Sequence, residues 1–68
     1  MIINQVATYR KAVGFTQAAL AQEVGVSRRT IVSLEKGNYS PSLLLALQLA
    51  KTLKTDVNEL FQLEEALE

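Results

Sequence analysis

The side chains with the most chemistry to offer lie between residues 28 and 36. Plotted as a helix at about 100° per residue, Arg28, Arg29, Val32, Ser33 and Lys36 share one arc, facing away from Ile31 and Leu34. The arc holds three cations, one hydroxyl and one branched aliphatic group. Arginine forks match guanine O6/N7 and phosphate oxygens bidentately, and an aliphatic group can touch a thymine methyl. Arg28 and Arg29 also stand at the positive end of the helix dipole, a mildly unfavourable place for cations that an anionic partner relieves. On an arbitrary helix a solvated polar face is the simpler explanation. The segment that positions this helix tips the balance the other way.

That segment, Thr16–Gly37, reads TQAALAQEVGVSRRTIVSLEKG, two short amphipathic helical patterns about Gly25. Thr16 is placed as N-cap with Gln17 in the first turn, and Leu20, Ala21 and Val24 fall on one face. Gly25 supplies the left-handed backbone that a sharp exit needs. Ser27 caps the second helix, whose inward positions are Ile31 and Leu34. Ala21 is small where the helices must cross closely, and Val26 can plug the corner between them. The pattern is a helix-turn-helix.

The rest of the chain supplies the support. Asn4 is a candidate N-cap for a first helix running to about Val13, with Val6, Tyr9 or Arg10, and Val13 near one face and Gly14 at its end. Phe15 precedes Thr16 as a hydrophobic staple onto Leu20. Asn38 to Pro41 is a loop by composition, and Asn38, Tyr39 and Ser40 carry donors beside Lys36 that could hold a phosphate. Ser42 caps a fourth helix with an expected buried stripe of Leu43, Ala46, Leu47, Ala50 and Leu53, flanked by Leu49. Gln48, Lys51 and Thr52 mark its wet side, where Leu44 is a candidate subunit contact. Lys54 sits where a helix-ending Gly is easier, a small expected strain. Asp56 and Glu59 form an acidic capping box for a short fifth helix through Leu60, and Phe61-Gln62-Leu63 reads as a strand whose obvious partner is Ile2-Ile3.

Composition narrows the function. Sixty-eight residues make one domain, 1–68, with the helix-turn-helix core at 16–37. A chain this short buries only roughly 60% of its unfolded surface, so self-association is expected. With no cysteine and no histidine, thiolate or imidazole zinc sites, disulfides and His-based acid–base catalysis are excluded, and no metal or cofactor is expected. No signal-peptide pattern or long apolar run appears, which points to a soluble, cytoplasmic protein. Net charge is zero, yet residues 1–55 hold all seven Lys/Arg against Glu23 and Glu35, for +5, and the last 13 residues carry −5. A basic body with an acidic end must present the body to any polyanion.

Four runs in order, TQAALAQEVGVS, TIVSLEKG, YSPSLLLAL and DVNELF, resemble the Cro/C1-type (XRE-like) helix-turn-helix regulators over nearly the whole chain. The resemblance implies a mainly α, five-helix, lambda-repressor-like DNA-binding domain, with a short two-stranded sheet from its ends. Carried over by position, Arg28, Arg29 and Ser33 match the base-reading positions, with Thr30 and Val32 beside them. Gln17, Lys36, Asn38 and Tyr39 match positions that contact phosphates, and Ser27 is expected to contact phosphate beside them. Arg10 and Glu35 match a partly buried ion pair, and Leu44, Leu60, Phe61 and Leu63 are the expected dimer contacts. Where relatives often read bases with glutamine, this chain carries two arginines, and Val32 replaces a commonly polar residue, so no relative's operator transfers to it.

The expected function is sequence-specific binding of double-stranded DNA by a homodimeric transcriptional regulator, a repressor, on a near-palindromic operator. A protein-interaction module, such as an antitoxin or co-regulator, is the alternative, supported by Leu44 and the apolar run at Leu60-Phe61-Leu63. Without a visible nucleophile–base pair, an enzyme is the weakest of the three readings.

Overall fold

Each of the three central helices begins at a hydroxyl. In the computed structural model, which describes residues 2–64, α2 spans Gln17–Val24, α3 Arg28–Glu35 and α4 Leu43–Thr52. Thr16, Ser27 and Ser42 take extended backbone and accept from the N–H three residues on, Ala19 at 3.0 Å, Thr30 at 3.2 Å and Leu45 at 3.1 Å. A cap of this kind stabilises by about 1 kcal/mol. Helices of eight to ten residues do not persist alone, so caps and burial have to act together.

Their ends follow one pattern. After α2, the Val26 N–H reaches the Ala21 carbonyl at 3.0 Å across Gly25, whose φ is 76°. After α3, Asn38 N–H reaches the Ser33 carbonyl at 3.0 Å across Gly37, at φ 83°. After α4, Thr55 N–H reaches the Ala50 carbonyl at 3.0 Å, but the left-handed position is filled by Lys54 at φ 61°. The strain expected at Lys54 is present.

Around these lie β1 (Ile2–Asn4), α1 (Val6–Val13), α5 (Val57–Leu60) and β2 (Phe61–Leu63). The strands pair antiparallel, Ile2 with Leu63, Ile3 with Gln62 and Asn4 with Phe61. Among the described residues this gives five helices and a two-stranded sheet, the architecture that the resemblance implies. Val6, Leu20, Ala21, Val24, Ile31, Leu34, Leu45, Leu49, Ala50, Leu53 and Leu60 form the core, with Tyr9, Phe15, Val26, Val57 and Phe61 packed against it. Glu65 and Glu68, two of the carboxylates in the acidic last 13 residues, lie outside the described residues.

Four expectations need correction. The buried stripe of α4 is Leu45, Ala46, Leu49 and Ala50, continuing to Leu53, while Leu43 and Leu47 are 72% and 49% exposed. A helix with leucine on almost every side gives periodicity no face to choose. Val13 is exposed, because the inward face of α1 runs through Val6 and the buried Arg10 instead. Asn4 belongs to β1; Gln5 is the N-cap, without a side-chain bond, although Asn4 Oδ1 accepts the Val6 N–H at 3.1 Å. Asp56 makes no side-chain cap bond either: α5 is a single turn, and the Asp56 carbonyl takes the Glu59 N–H at 3.0 Å and the Leu60 N–H at 3.1 Å.

Lys54 yields a direct test. Lys54→Gly relieves the left-handed strain and gives back part of the gain as unfolded-state entropy, so a net stabilisation of about 0.5 kcal/mol is expected. Urea denaturation of the two proteins measures it, and a loss of stability would contradict the strain assignment.

Candidate nucleic-acid interface

The outward side of α3 is defined by what its inward side must do. Ile31 and Leu34 are fully buried, and α3 makes its most extensive packing with α2 through Leu20, Ala21 and Val24. That fixes the helix in rotation. Arg28, Arg29 and Lys36 are consequently exposed, whereas Thr30, Val32 and Ser33 are half-buried. Two guanidinium groups thus stand clear at the first turn of α3, and the shorter side chains lie nearer the body of the protein.

Beneath this surface runs a continuous polar chain. Arg10 on α1 donates from Nε to Glu35 Oε2 at 2.6 Å and from Nη2 to Glu35 Oε1 at 3.2 Å. Both side chains are about nine-tenths buried, at 11% and 8% exposure. Arg10 Nη1 also donates to the Phe15 carbonyl at 2.9 Å. Gln17 Nε2 donates to Glu35 Oε1 at 3.0 Å, and Gln17 Oε1 accepts from Arg28 Nη2 at 3.3 Å. With its NH2 on the carboxylate, the Gln17 amide presents its oxygen to the Arg28 cation. The buried pair therefore reaches the surface through Gln17 and orients Arg28. Among the described residues, no buried side-chain polar atom lacks a partner.

The remaining candidate positions divide. Ser27 Oγ is engaged in capping and lies 3.1 Å from Thr30 Oγ1, so both hydroxyls first serve the start of α3. Asn38, Tyr39 and Ser40 are exposed in the loop that leaves Lys36 and Gly37. The expected subunit contacts do not form one set. Leu60 is fully buried in the chain's own core and is therefore not an available subunit contact, because one-turn α5 packs against α4 and turns its last side chain inward. Phe61 is half-buried against the core, while Leu44 and Leu63 are 68% and 74% exposed. Leu43 and Leu47 join Leu44 on the open side of α4, which sequence periodicity missed. No described helix is long and apolar enough to cross a membrane.

Known proteins match this arrangement. A helix-turn-helix family model covers residues 6–60. An uncharacterized HTH-type transcriptional regulator of Methanothermobacter thermautotrophicus is 50% identical over 58 residues, 84% of each chain. The HTH-type regulator YgzD of Bacillus subtilis, also uncharacterized, is 44% identical over 62 residues, 91% of this chain and 94% of its own. Among solved structures, the restriction-modification controller protein C.AhdI of Aeromonas hydrophila superposes with a TM-score of 0.74 at 31% identity, over 79% of this chain and 82% of that one. The N-terminal DNA-binding domain of SinR from Bacillus subtilis gives 0.70 at 26% identity, over 76% and 77%.

The polar chain predicts an asymmetric response to substitution. Arg10→Met leaves Glu35 buried and unpaired and is expected to cost about 3 kcal/mol, whereas Arg10→Met with Glu35→Leu should cost less than that single change. Denaturant midpoints of both variants check this; equal or additive losses would contradict a buried, mutually dependent pair.

Proposed function

The chain belongs to the helix-turn-helix family of DNA-binding transcriptional regulators, and on that premise we propose that it represses transcription as a homodimer on a near-palindromic site. It is a binding protein rather than an enzyme, and it works in the cytoplasm, on the nucleoid when bound. Two copies of α3, roughly 34 Å apart, enter successive major grooves. Arg28 and Arg29 read guanine edges, and Val32, Ser33 and Thr30 limit which bases fit against the less exposed middle of the helix. Lys36, Asn38 and Tyr39 hold the phosphate backbone, with Gln17 and Ser27 at the opposite end of α3.

The observation that carries this reading is the orientation of Arg28. A free surface arginine samples many rotamers, and fixing it on binding costs entropy. Here Gln17, itself fixed by Glu35, already holds one arm of the guanidinium. Preorganisation of that kind lowers the entropy cost of placing the guanidinium on a partner. The exposed leucines support the dimer. Leu43, Leu44 and Leu47 expose apolar surface on one side of α4, and Leu63 does so on the sheet, an apolar exposure that a second subunit would remove from water.

Binding to duplexes selected from a random pool tests the assignment. Arg28→Ala or Arg29→Ala should reduce the preference for selected over unrelated sequences by about 1–3 kcal/mol. Lys36→Ala should weaken all sequences alike and lower the salt slope by about 1. If neither kind of change alters binding to any duplex, the face is wrongly assigned. Sedimentation tests the dimer separately: Leu44→Lys, exposed and so tolerated by the fold, should shift the chain toward monomer, and an unchanged mass would remove α4 from the interface.

A further inference from the structure

Besides Arg10, a second residue outside the helix-turn-helix reaches into it. Asn4 sits in β1, where its backbone pairs with Phe61 of β2, and the next residue's N–H donates to the Leu60 carbonyl at 2.8 Å. Its half-buried side chain uses both ends. Oδ1 accepts the Val6 N–H at 3.1 Å, at the start of α1. Nδ2 donates to the Leu34 carbonyl at 2.8 Å, in the last turn of α3 and 30 positions away in sequence.

That carbonyl has a second partner. Leu34 O also accepts the Gly37 N–H at 3.0 Å, one of the two bonds closing the turn from which the exposed loop departs, the other running from Asn38 N–H to Ser33 O. The carbonyls of a helix's last turn have no intrahelical partner, and the turn holds its shape only as well as they are satisfied. Lys36, Asn38 and Tyr39 lie within or directly after this turn. Movement of the Leu34 carbonyl would move all three together.

We propose that Asn4 is a positioning residue for the loop that follows the recognition helix: its amide ties the Gly37 turn to the terminal sheet and holds Lys36, Asn38 and Tyr39 in the pose that meets phosphates. The proposal rests on the DNA-binding reading for what the loop touches, but the tie between sheet and turn is a property of the free protein. Through it the first and last described segments of the chain act on a loop that neither of them adjoins in sequence. Because the loop meets backbone rather than bases, Asn4 governs affinity and not sequence preference.

The test uses Asn4→Ser, which keeps a short acceptor for the Val6 N–H, loses the reach to Leu34 and leaves net charge unchanged. In the free 68-residue chain, amide exchange at Gly37 and Asn38 should accelerate about fivefold relative to Leu20 and Ala21 in α2. Affinity for selected and unrelated duplexes should fall by a similar factor in both, leaving their ratio intact. Unchanged exchange at Gly37 and Asn38 overturns the proposal, as does acceleration of the same size throughout α2, which would make Asn4 a contributor to stability alone. A changed ratio between duplexes also overturns it. Should the serine variant not fold, Asn4→Thr, a better strand former with the same hydroxyl, carries the same comparison. A wild-type chain that binds no duplex overturns the DNA reading, and the exchange result then judges the tie by itself.

Discussion

The Arg10–Glu35 pair is the constraint around which the other contacts arrange themselves. Two charges taken nine-tenths out of water are tolerable only when each is met by fixed partners. Here the carboxylate takes the Arg10 fork on both oxygens and the Gln17 amide on one, and the guanidinium spends its third bond on the Phe15 carbonyl. These four residues come from α1, the segment joining it to α2, α2 itself and α3. A buried pair of this kind adds little net stability compared with apolar side chains of the same size. What it imposes is geometry. Leu, Ile and Val would tolerate α3 sliding or rotating by some degrees, but a 2.6 Å bond between fixed charges would not.

Rotation matters because the useful side of α3 is narrow. With Ile31 and Leu34 inward, about half the helix circumference is left for contact, and its middle positions, Val32 and Ser33, are already half-buried. Rotation of α3 would bury an arginine or lift Val32 out. The same polar chain that sets the rotation continues through Gln17 to Arg28, so the orientation of the helix and that of its first cation share one cause. Arg29, which adjoins Arg28, points elsewhere around the helix by about 100° and makes no side-chain bond to another residue among those described. The two arginines are chemically alike and physically different.

How much of this the sequence reveals depends on how many alternatives each segment leaves. Residues 16–37 leave few: hydroxyls at 16 and 27, glycines at 25 and 37, and only one run of apolar positions that fits helical spacing in each helix. The caps, the turn and the buried positions of α2 and α3 are therefore legible. Helix α4 is the opposite case. Leucine at 43, 44, 45, 47 and 49 satisfies several faces, and the choice among them is made by α2 and α5, which pack against it and select Leu45 and Leu49. Leu60 reads as free apolar surface only while the path of the chain is unknown; in three dimensions α5 turns it under the core. Asn4 is the subtlest case. A polar residue in a terminal strand has no periodic signature, and its partner is a carbonyl, which every residue has.

Charge distribution sets the acidic end of the chain apart from α3. A neutral chain has no long-range attraction to DNA, so binding has to come from where the charges sit. Within the described residues, Asp56, Glu59 and Glu64 lie in or beside α5 and β2, which pack with α4 and β1, while the main partner of α3 is α2. The carboxylate at the end of α3, Glu35, is neutralised by Arg10 and bonded by Gln17. The Arg10–Glu35 pair therefore has an electrostatic role beside its geometric one. It neutralises a negative charge at the end of α3 and makes it the anchor, through Gln17, for the Arg28 guanidinium.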